Sequence, residues 1–212
     1  MRLRDLEMAL QSLQRFDAYD KESFILDAYP TPANIAATIL FSAEMDHGDI
    51  DGRVVFDLGC GDGVFAHGAA LLGAEQVIGV DLHNESLRVA QNNSAQLGTE
   101  DRTSFVLGDV NFLTPKKTID TVFENPPFGT RNRGADMVFL RKALSIAKVI
   151  YSIHLVGPEG KNRPFLSSKI EELGGSVTQI ENFQFPIKAI YHRHQKEKHL
   201  INVDLYRVLS NL

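Results

Sequence analysis

From Arg53 onward the chain alternates between short runs rich in β-branched and aromatic residues and longer amphipathic segments, and few folds accept that rhythm. "RVVFDLG" reads as a strand and "GVFAHGAALLG" as a helix closed by Gly73. "QVIGVDL" and "ESLRVAQNNSAQLG" repeat the pair, with Gly98 as the stop. "TSFVLGDV" and "TIDTVFEN" follow as third and fourth strands, then helix "ADMVFLRKALSIAK", strand "VIYSIHLV" and helix "PFLSSKIEELGG". Strands separated by helices pair in parallel, with helices on both faces of the sheet. The last two strands, "SVTQIENFQF" and "LINVDLYRVL", have no helix between them and are expected to pair antiparallel at one side. The expected fold is α/β, an open seven-stranded and mostly parallel sheet over 53–209.

Ahead of this core, Leu3 to Phe16 is expected to form an amphipathic helix, with Leu3, Leu6, Leu10 and Leu13 at helical spacing. "YPTPANIAATILF" gives a turn and a second helix, with Thr31 as N-cap and Pro32 in the first helical position. Residues 1–45 read as a helical cap on a single domain of 1–212, since no repeat, low-complexity tract or linker divides the 212 residues. A net charge of −5 argues against a protein that coats nucleic acid or membrane over its whole surface, while leaving room for a local basic patch. Cys60 is the one cysteine, so an internal disulfide and a multi-cysteine zinc site are excluded and a reducing compartment is expected. "MRLRDLEMALQSL" has no continuous apolar core and carries Asp5 and Glu7, which is unlike a secretory signal, and no apolar run reaches the length of a membrane span. These features predict a soluble, intracellular protein, cytoplasmic or, in a eukaryote, also nuclear.

In such a sheet ligands bind beyond the carboxyl ends of the strands, near the point where strand order reverses. The chemically distinctive residues fall at those ends. "DLGCGDG", Asp57 to Gly63, closes the first strand with alternate glycines that let the backbone turn tightly and approach a ligand. Val64 stands where the dinucleotide fingerprint places its last glycine, which counts against NAD. Asp81 ends the second strand, where a carboxylate can accept both hydroxyls of a ribose, and Asp109 follows the third, in reach of an exocyclic amine of adenine. "ENPPFGT" closes the fourth with two prolines that cannot donate to a ladder.

In this order "DLGCGDG", Asp81, "GDV" and "NPPF" resemble the motifs of class I S-adenosylmethionine-dependent methyltransferases that modify exocyclic or amide nitrogens, whose fold is a Rossmann-like seven-stranded sheet. More narrowly, "YPTP", "DLGCG" and "NPPFGT" followed by "ADMVFL" resemble the methyltransferase-like 5 family and its archaeal members, from the N-terminal helix to about Lys148 and only weakly beyond it. That resemblance implies a ribosomal-RNA N6-adenine methyltransferase working with a small activator subunit. It implies that Tyr29, Pro30 and Thr31 lid the cofactor, that Asp57, Gly59, Gly61, Asp62 and Val64 line it, that Asp81 with Leu82 holds the ribose, and that Asp109 with Val110 and Asn125 complete the site. Two positions depart from the family pattern: Ala28, where Gln is often found, and Asp62, where a small residue is usual.

The amino group of adenine is a poor nucleophile because its lone pair is delocalised into the ring. Two acceptors holding its hydrogens would favour a pyramidal nitrogen. The Asn125 side-chain oxygen and the Pro126 carbonyl can supply them, with Pro127 stiffening the corner and Phe128 stacking on an extruded base. This chemistry needs no metal. Arg131 and Arg133, and Lys188, Arg193, Lys196 and Lys198 in the basic segment "YHRHQKEKH" and just before it, are candidate RNA-phosphate contacts. "TSFVL", 103–107, carries no proline or lysine and is expected at a sheet edge, where the activator subunit could add a strand. Two alternatives stand beside this reading. A protein glutamine-N5 methyltransferase poses the same lone-pair problem, although such enzymes usually carry Tyr at the position of Phe128 and an extra helical domain. A catalytically silent cofactor-binding scaffold would not need the acceptor pair of "NPPF".

Overall fold

The computed structural model describes residues 1–16, 30–128, 134–187 and 199–212. Its strands are β1 (Val54–Leu58), β2 (Gln76–Asp81), β3 (Thr103–Leu107), β4 (Ile119–Glu124), β5 (Ala147–Leu155), β6 (Gly175–Ile187) and β7 (His199–Ser210). The described helices are α1 (Leu3–Gln11), α2 (Ala33–Met45), α3 (Val64–Leu71), α4 (Asn84–Leu97), α5 (Ala135–Ile146) and α6 (Arg163–Glu172). The sheet order is β3-β2-β1-β4-β5-β7-β6. β1 pairs in parallel with β2 and with β4, so the chain winds outward from β1 to β3 and then returns to β1's other side. That reversal opens a cleft between the ends of β1 and β4.

β5–β7 and β6–β7 are antiparallel, as the missing helix between the last two strands requires. β7 lies between β5 and β6 rather than at the rim. Leu155, at the end of β5, pairs with Val203, and β6 and β7 stay paired beyond that point to Ile187 and His199. The two-strand arm therefore projects past the same sheet end that bears the cleft.

Two apolar layers cover the sheet. One gathers Leu6, Leu10, Ile39, Leu40, Phe65 and Phe123 under α1, α2 and α3, and the other gathers Leu58, Val122, Leu140, Ile150, Leu166 and Tyr206 under α5 and α6. Central strands are buried on both faces, so β1, β4 and β5 hold apolar residues facing both layers, with buried polar residues such as Thr121, Glu124 and Ser152 among them. No described helix is long and apolar enough to cross a membrane.

Three expectations need correction. α1 stops at Gln11 rather than Phe16, because the Gln14 amide donates to Asn93 Oδ1 (2.9 Å) and the Phe16 amide to Asp62 Oδ2 (3.2 Å) instead of to a helical carbonyl. Thr31 does not cap α2; Pro32 occupies the N-cap without a side-chain bond, and the Thr31 hydroxyl is used elsewhere. The third strand ends at Leu107, and Val110–Phe112 forms a short 3-10 turn capped by Asp109.

Candidate active site

Gly59, Gly61 and Gly63 of the β1–α3 turn all sit in the left-handed region, with φ of 69°, 54° and 85°, so the alternate glycines are a backbone requirement. At Gly59 a Cβ would also press to 3.0 Å of the Phe139 ring. Gly59 and Cys60 donate their amides to Val80 O at 2.8 and 3.1 Å, which ties the turn to the end of β2. From β2, Asp81 completes the tie: Oδ2 accepts from the Gly61 amide and Oδ1 from the His83 amide, each at 2.8 Å. Each carboxylate oxygen keeps a second lone-pair direction, and Asp81 lines the cleft.

The cleft consists of two adjoining cavities of about 110 and 320 Å³ that share Gly59, Asp81, His83 and Asn125. Asp57, Asp62, Val64, Pro30 and Thr31 line the first, and Leu82, Asp109, Val110 and Pro127 the second. Sequence residues far apart thus meet in one place. Asp109 Oδ1 accepts from the Asn111 amide and side chain at 2.9 and 3.0 Å, so that oxygen caps its own turn. His83 Nε2 is buried in the cleft wall without a hydrogen-bond partner among the described residues.

The electrostatics of the first cavity are one-sided. Asp57, Asp62 and Asp81 line it, and among the described residues Arg15 is the cation paired with one of them, Asp62. Burial, only partly offset by the Ala66 amide on Oδ2 (3.0 Å), and then the charges of Asp81 and Asp62 push the Asp57 carboxyl up to about 8. Burial also raises Asp62 despite the Arg15 guanidinium 3.1 Å away. The Cys60 thiol is raised well above its ordinary value by burial and the neighbouring carboxylates, which leaves it no nucleophilic role.

The departure at position 62 has a structural reason. Asp62 Oδ2 receives the Arg15 guanidinium and the Phe16 amide, while Asn93 Nδ2 bridges Gln14 O and Asp62 O at 3.0 Å each. Arg15 Nη2 also donates to Thr31 O (2.9 Å). Thr31 Oγ1 in turn accepts from Asn125 Nδ2 at 3.0 Å, which fixes the asparagine's rotamer. A continuous set of contacts therefore runs from the glycine turn, through the N-terminal segment, to the proline corner. Arg15, Phe16, His83 and Asn93 are site residues that sequence reasoning misses, because their partners lie far along the chain. The one available signal is Asn93, a polar residue on the buried side of α4.

At the corner itself, Pro126 is buried, Asn125 and Pro127 face the cleft, and Phe128 is 8% exposed within the first apolar layer. Tyr29, Arg131, Arg133, Lys188, Arg193, Lys196 and Lys198 lie outside the described residues. Among the described residues no group of His, Cys, Asp or Glu is arranged to hold a metal ion.

A family model described as a methyltransferase domain matches residues 50–157. The chain is 34% identical to rRNA N(6)-adenosine-methyltransferase Mettl5 of Drosophila melanogaster, over 98% of this chain and 96% of that protein. It is 33% identical to rRNA N(6)-adenosine-methyltransferase METTL5 of Danio rerio, over 98% of both chains. A crystal structure of a candidate RNA methyltransferase from Pyrococcus horikoshii is 37% identical, with a TM-score of 0.87 over 100% of this chain and 99% of that one. The similarity thus continues past Lys148 into the last strands, where the short motifs give out.

Proposed function

The chain belongs to the methyltransferase-domain family, and within it to the group of the rRNA N6-adenosine methyltransferases, and from that premise we propose that it methylates N6 of adenine in ribosomal RNA with S-adenosylmethionine as donor. The observation that carries this reading is that Asn125 and Pro127 stand in the same cleft wall as Gly59 and Asp81. A cofactor grip and the Asn125 acceptor thus face one space, with the buried Pro126 joining the two corner residues that line it.

The donor set of the cleft fits this cofactor. Its sulfonium and ammonium groups are cationic, and the acidic side chains of Asp57, Asp62 and Asp81 line the cavity, Asp57 adding its charge once the proton that burial holds on it leaves. The lone pairs left on Asp81 suit ribose hydroxyls, and the positive-φ glycines keep Cβ atoms out of the cradle. When bound, the cofactor supplies an electrophilic methyl group. The chain's own part is to hold the amino nitrogen: Asn125 Nδ2 donates to Thr31 Oγ1, which orients the amide, and its side-chain oxygen is assigned to accept from the target amine. The Pro126 carbonyl is assigned as the second acceptor, with its own ring and that of Pro127 holding it rigid. Phe128 packs in the first apolar layer and is 8% exposed, which limits the surface it can offer a stacked base.

Incubation with ribosomal RNA and labelled cofactor, followed by digestion to nucleosides, should yield labelled N6-methyladenosine. Label recovered only in protein as methylglutamine would establish the amide alternative, and binding without any transfer would establish the scaffold. The residues Arg131, Arg133 and 188–198 are assigned to RNA phosphates on charge alone. Neutralising them should lower the slope of log affinity against log salt by about one for each phosphate that is no longer neutralised.

A protein partner at β3 is the second part of the reading. β3 ends the sheet, and Val106, Leu107 and Phe112 are 45%, 58% and 81% exposed along that edge. Unpaired backbone groups beside exposed apolar side chains suit strand addition by a small activator subunit. Leu107→Pro, which removes a backbone donor on the outer side of β3 (the Val106 amide turns inward to β2), should abolish co-purification with that subunit. Undiminished co-purification would refute the interface.

A further inference from the structure

The position immediately before Asn125 is occupied by a fully buried carboxyl, Glu124, at the end of a central strand. An apolar side chain would fill that place without a desolvation cost. Glu124 instead heads a line of polar groups. Ser152, its register partner on β5, has Oγ 2.6 Å from Glu124 Oε1 and 2.8 Å from His154 Nε2. His154 Nδ1 lies 3.4 Å from Asp136 Oδ2, in the first turn of α5. Ser152 and His154 are as deeply buried as Glu124, and Tyr206 holds the imidazole edge-on with ring centroids 5.7 Å apart.

Proton counting constrains this line. The Ser152 hydroxyl has one hydrogen and two short contacts, so one neighbour must donate to it. Either the Glu124 carboxyl is protonated, or His154 carries hydrogen on Nε2. In the second case the 3.4 Å approach of Nδ1 to the Asp136 carboxylate, an ion-pair contact and not a hydrogen bond, favours a hydrogen there as well. Both arrangements contain the same number of protons. Removing one leaves carboxylates at both ends of a buried line.

We infer that Glu124, Ser152, His154 and Asp136 form a one-proton chain of positioning residues that holds the two flanks of the proline corner, so that methyl transfer depends on that proton being present. The flanks are the end of β4, one residue before Asn125, and the start of α5, where the chain returns from the corner. Burial foremost, and then the Asp136 charge, push Glu124 up to about 8, with the Ser152 contact opposing the shift. Among the described residues, the other charged or titratable groups facing the line are Tyr206 of β7 and Asp204, the register partner of His154, whose charge Arg163 of α6 meets. β1 presents apolar Leu58 to Glu124.

The inference rests on the proposed function only in using methyl transfer as one readout. kcat at saturating cofactor and RNA is measured from pH 6.5 to 9.5 for the wild type, Glu124→Gln and Ser152→Ala. Saturating cofactor keeps Asp57 out of kcat, since its ionisation acts on binding. The wild-type kcat should fall above about pH 8, approaching tenfold per unit. Glu124→Gln, an uncharged analogue of the protonated acid, should match the wild type at pH 7 and stay flat. Ser152→Ala should lose kcat several-fold at pH 7 with unchanged cofactor affinity. A Glu124→Gln profile that falls like the wild type, or a folded Ser152→Ala with normal kcat, overturns the inference.

Thermal unfolding of the cofactor-free proteins provides a readout independent of activity. Glu124 has a folded value above its unfolded one, so its proton stabilises the fold at low pH and that stability is lost as pH rises towards about 8. Wild-type Tm should therefore decline over that window relative to Glu124→Gln, and parallel curves would overturn the chain. If the wild type transfers no methyl to adenine, the proposed function fails by itself and the unfolding curves still decide whether the proton is there.

Discussion

Two buried polar clusters sit on the same sheet and are built in opposite ways. In one, beside the loop entering β1, Asp49 Oδ2 receives Tyr151 Oη at 2.6 Å and Arg207 Nε at 3.0 Å. Arg207 Nη1 donates to Thr178 Oγ1 and Thr121 Oγ1 to Asp49 O, so the charges and donors are matched within the protein. In the other, at the head of the cleft, three aspartates stand against one guanidinium among the described residues, and Asp57 is pushed up to about 8. The first cluster is complete without a ligand. The second holds a surplus of acidic groups whose ionisation a cationic ligand would favour. A matched buried cluster supports the fold, and an unmatched one marks the place where the molecule expects company.

The sharpest test of that contrast is to unmatch the first cluster. Arg207→Met leaves the Asp49 carboxylate buried without its cation, which should cost about 3–5 kcal/mol of stability. A shift of the urea midpoint at constant slope would register it. Cofactor affinity of the remaining folded protein should stay within twofold. If affinity fell with stability, the two clusters would not be separable.

Asn125→Ala is the converse experiment at the edge of the open cluster. It removes a positioned acceptor and the bond to Thr31 Oγ1. Removing one preorganised group of this kind lowers kcat by about 10²–10³, or roughly 2.7–4 kcal/mol. Cofactor affinity and Tm should change little. Near-normal transfer by the folded variant would remove Asn125 from the mechanism. Next in size is Asp81→Ala, which should weaken cofactor binding by about 1–3 kcal/mol because the ribose acceptor is gone. Because Asp81 also holds the Gly61 amide, calorimetry should be paired with a check that the turn remains folded.

The half of the molecule that a sequence reader can follow is the half whose causes are local. Alternating apolar runs place every strand, and Gly59, Gly61 and Gly63 announce a left-handed turn because each needs its positive φ. What escapes such a reading is set by partners far along the chain. Nothing near Gln14 says that its amide will go to Asn93, or that Asp62 will take the Phe16 amide and end the α1 run early. Thr31 looks like a helix cap from its neighbours, and only the return of β4 brings Asn125 to its hydroxyl. Glu124 reads as the close of a strand, since its partner Ser152 belongs to a different strand.

The smallest effect is also the most direct measure of the acidic surplus. Asp57 is raised in the folded, cofactor-free protein, so it binds a proton between about pH 4 and 8 that the unfolded chain releases. That proton stabilises the fold at low pH, and the stability is lost as pH rises towards 8. A cationic ligand prefers the carboxylate, so its binding should expel the proton. Affinity for S-adenosylmethionine should therefore increase with pH up to about 8 and then level off. The demethylated product lacks the sulfonium charge and should show a shallower rise. Asp57→Asn keeps an acceptor for the Ala66 amide while removing the charge. It should stabilise the cofactor-free protein at pH 8, flatten both titrations and weaken cofactor binding by about tenfold, or 1.4 kcal/mol. Calorimetry across the pH range, in two buffers of different ionisation enthalpy, counts the protons released. Identical pH dependence for cofactor and product would show that the carboxylate surplus does not read the sulfonium, and the contrast between the two clusters would then be one of solvation alone.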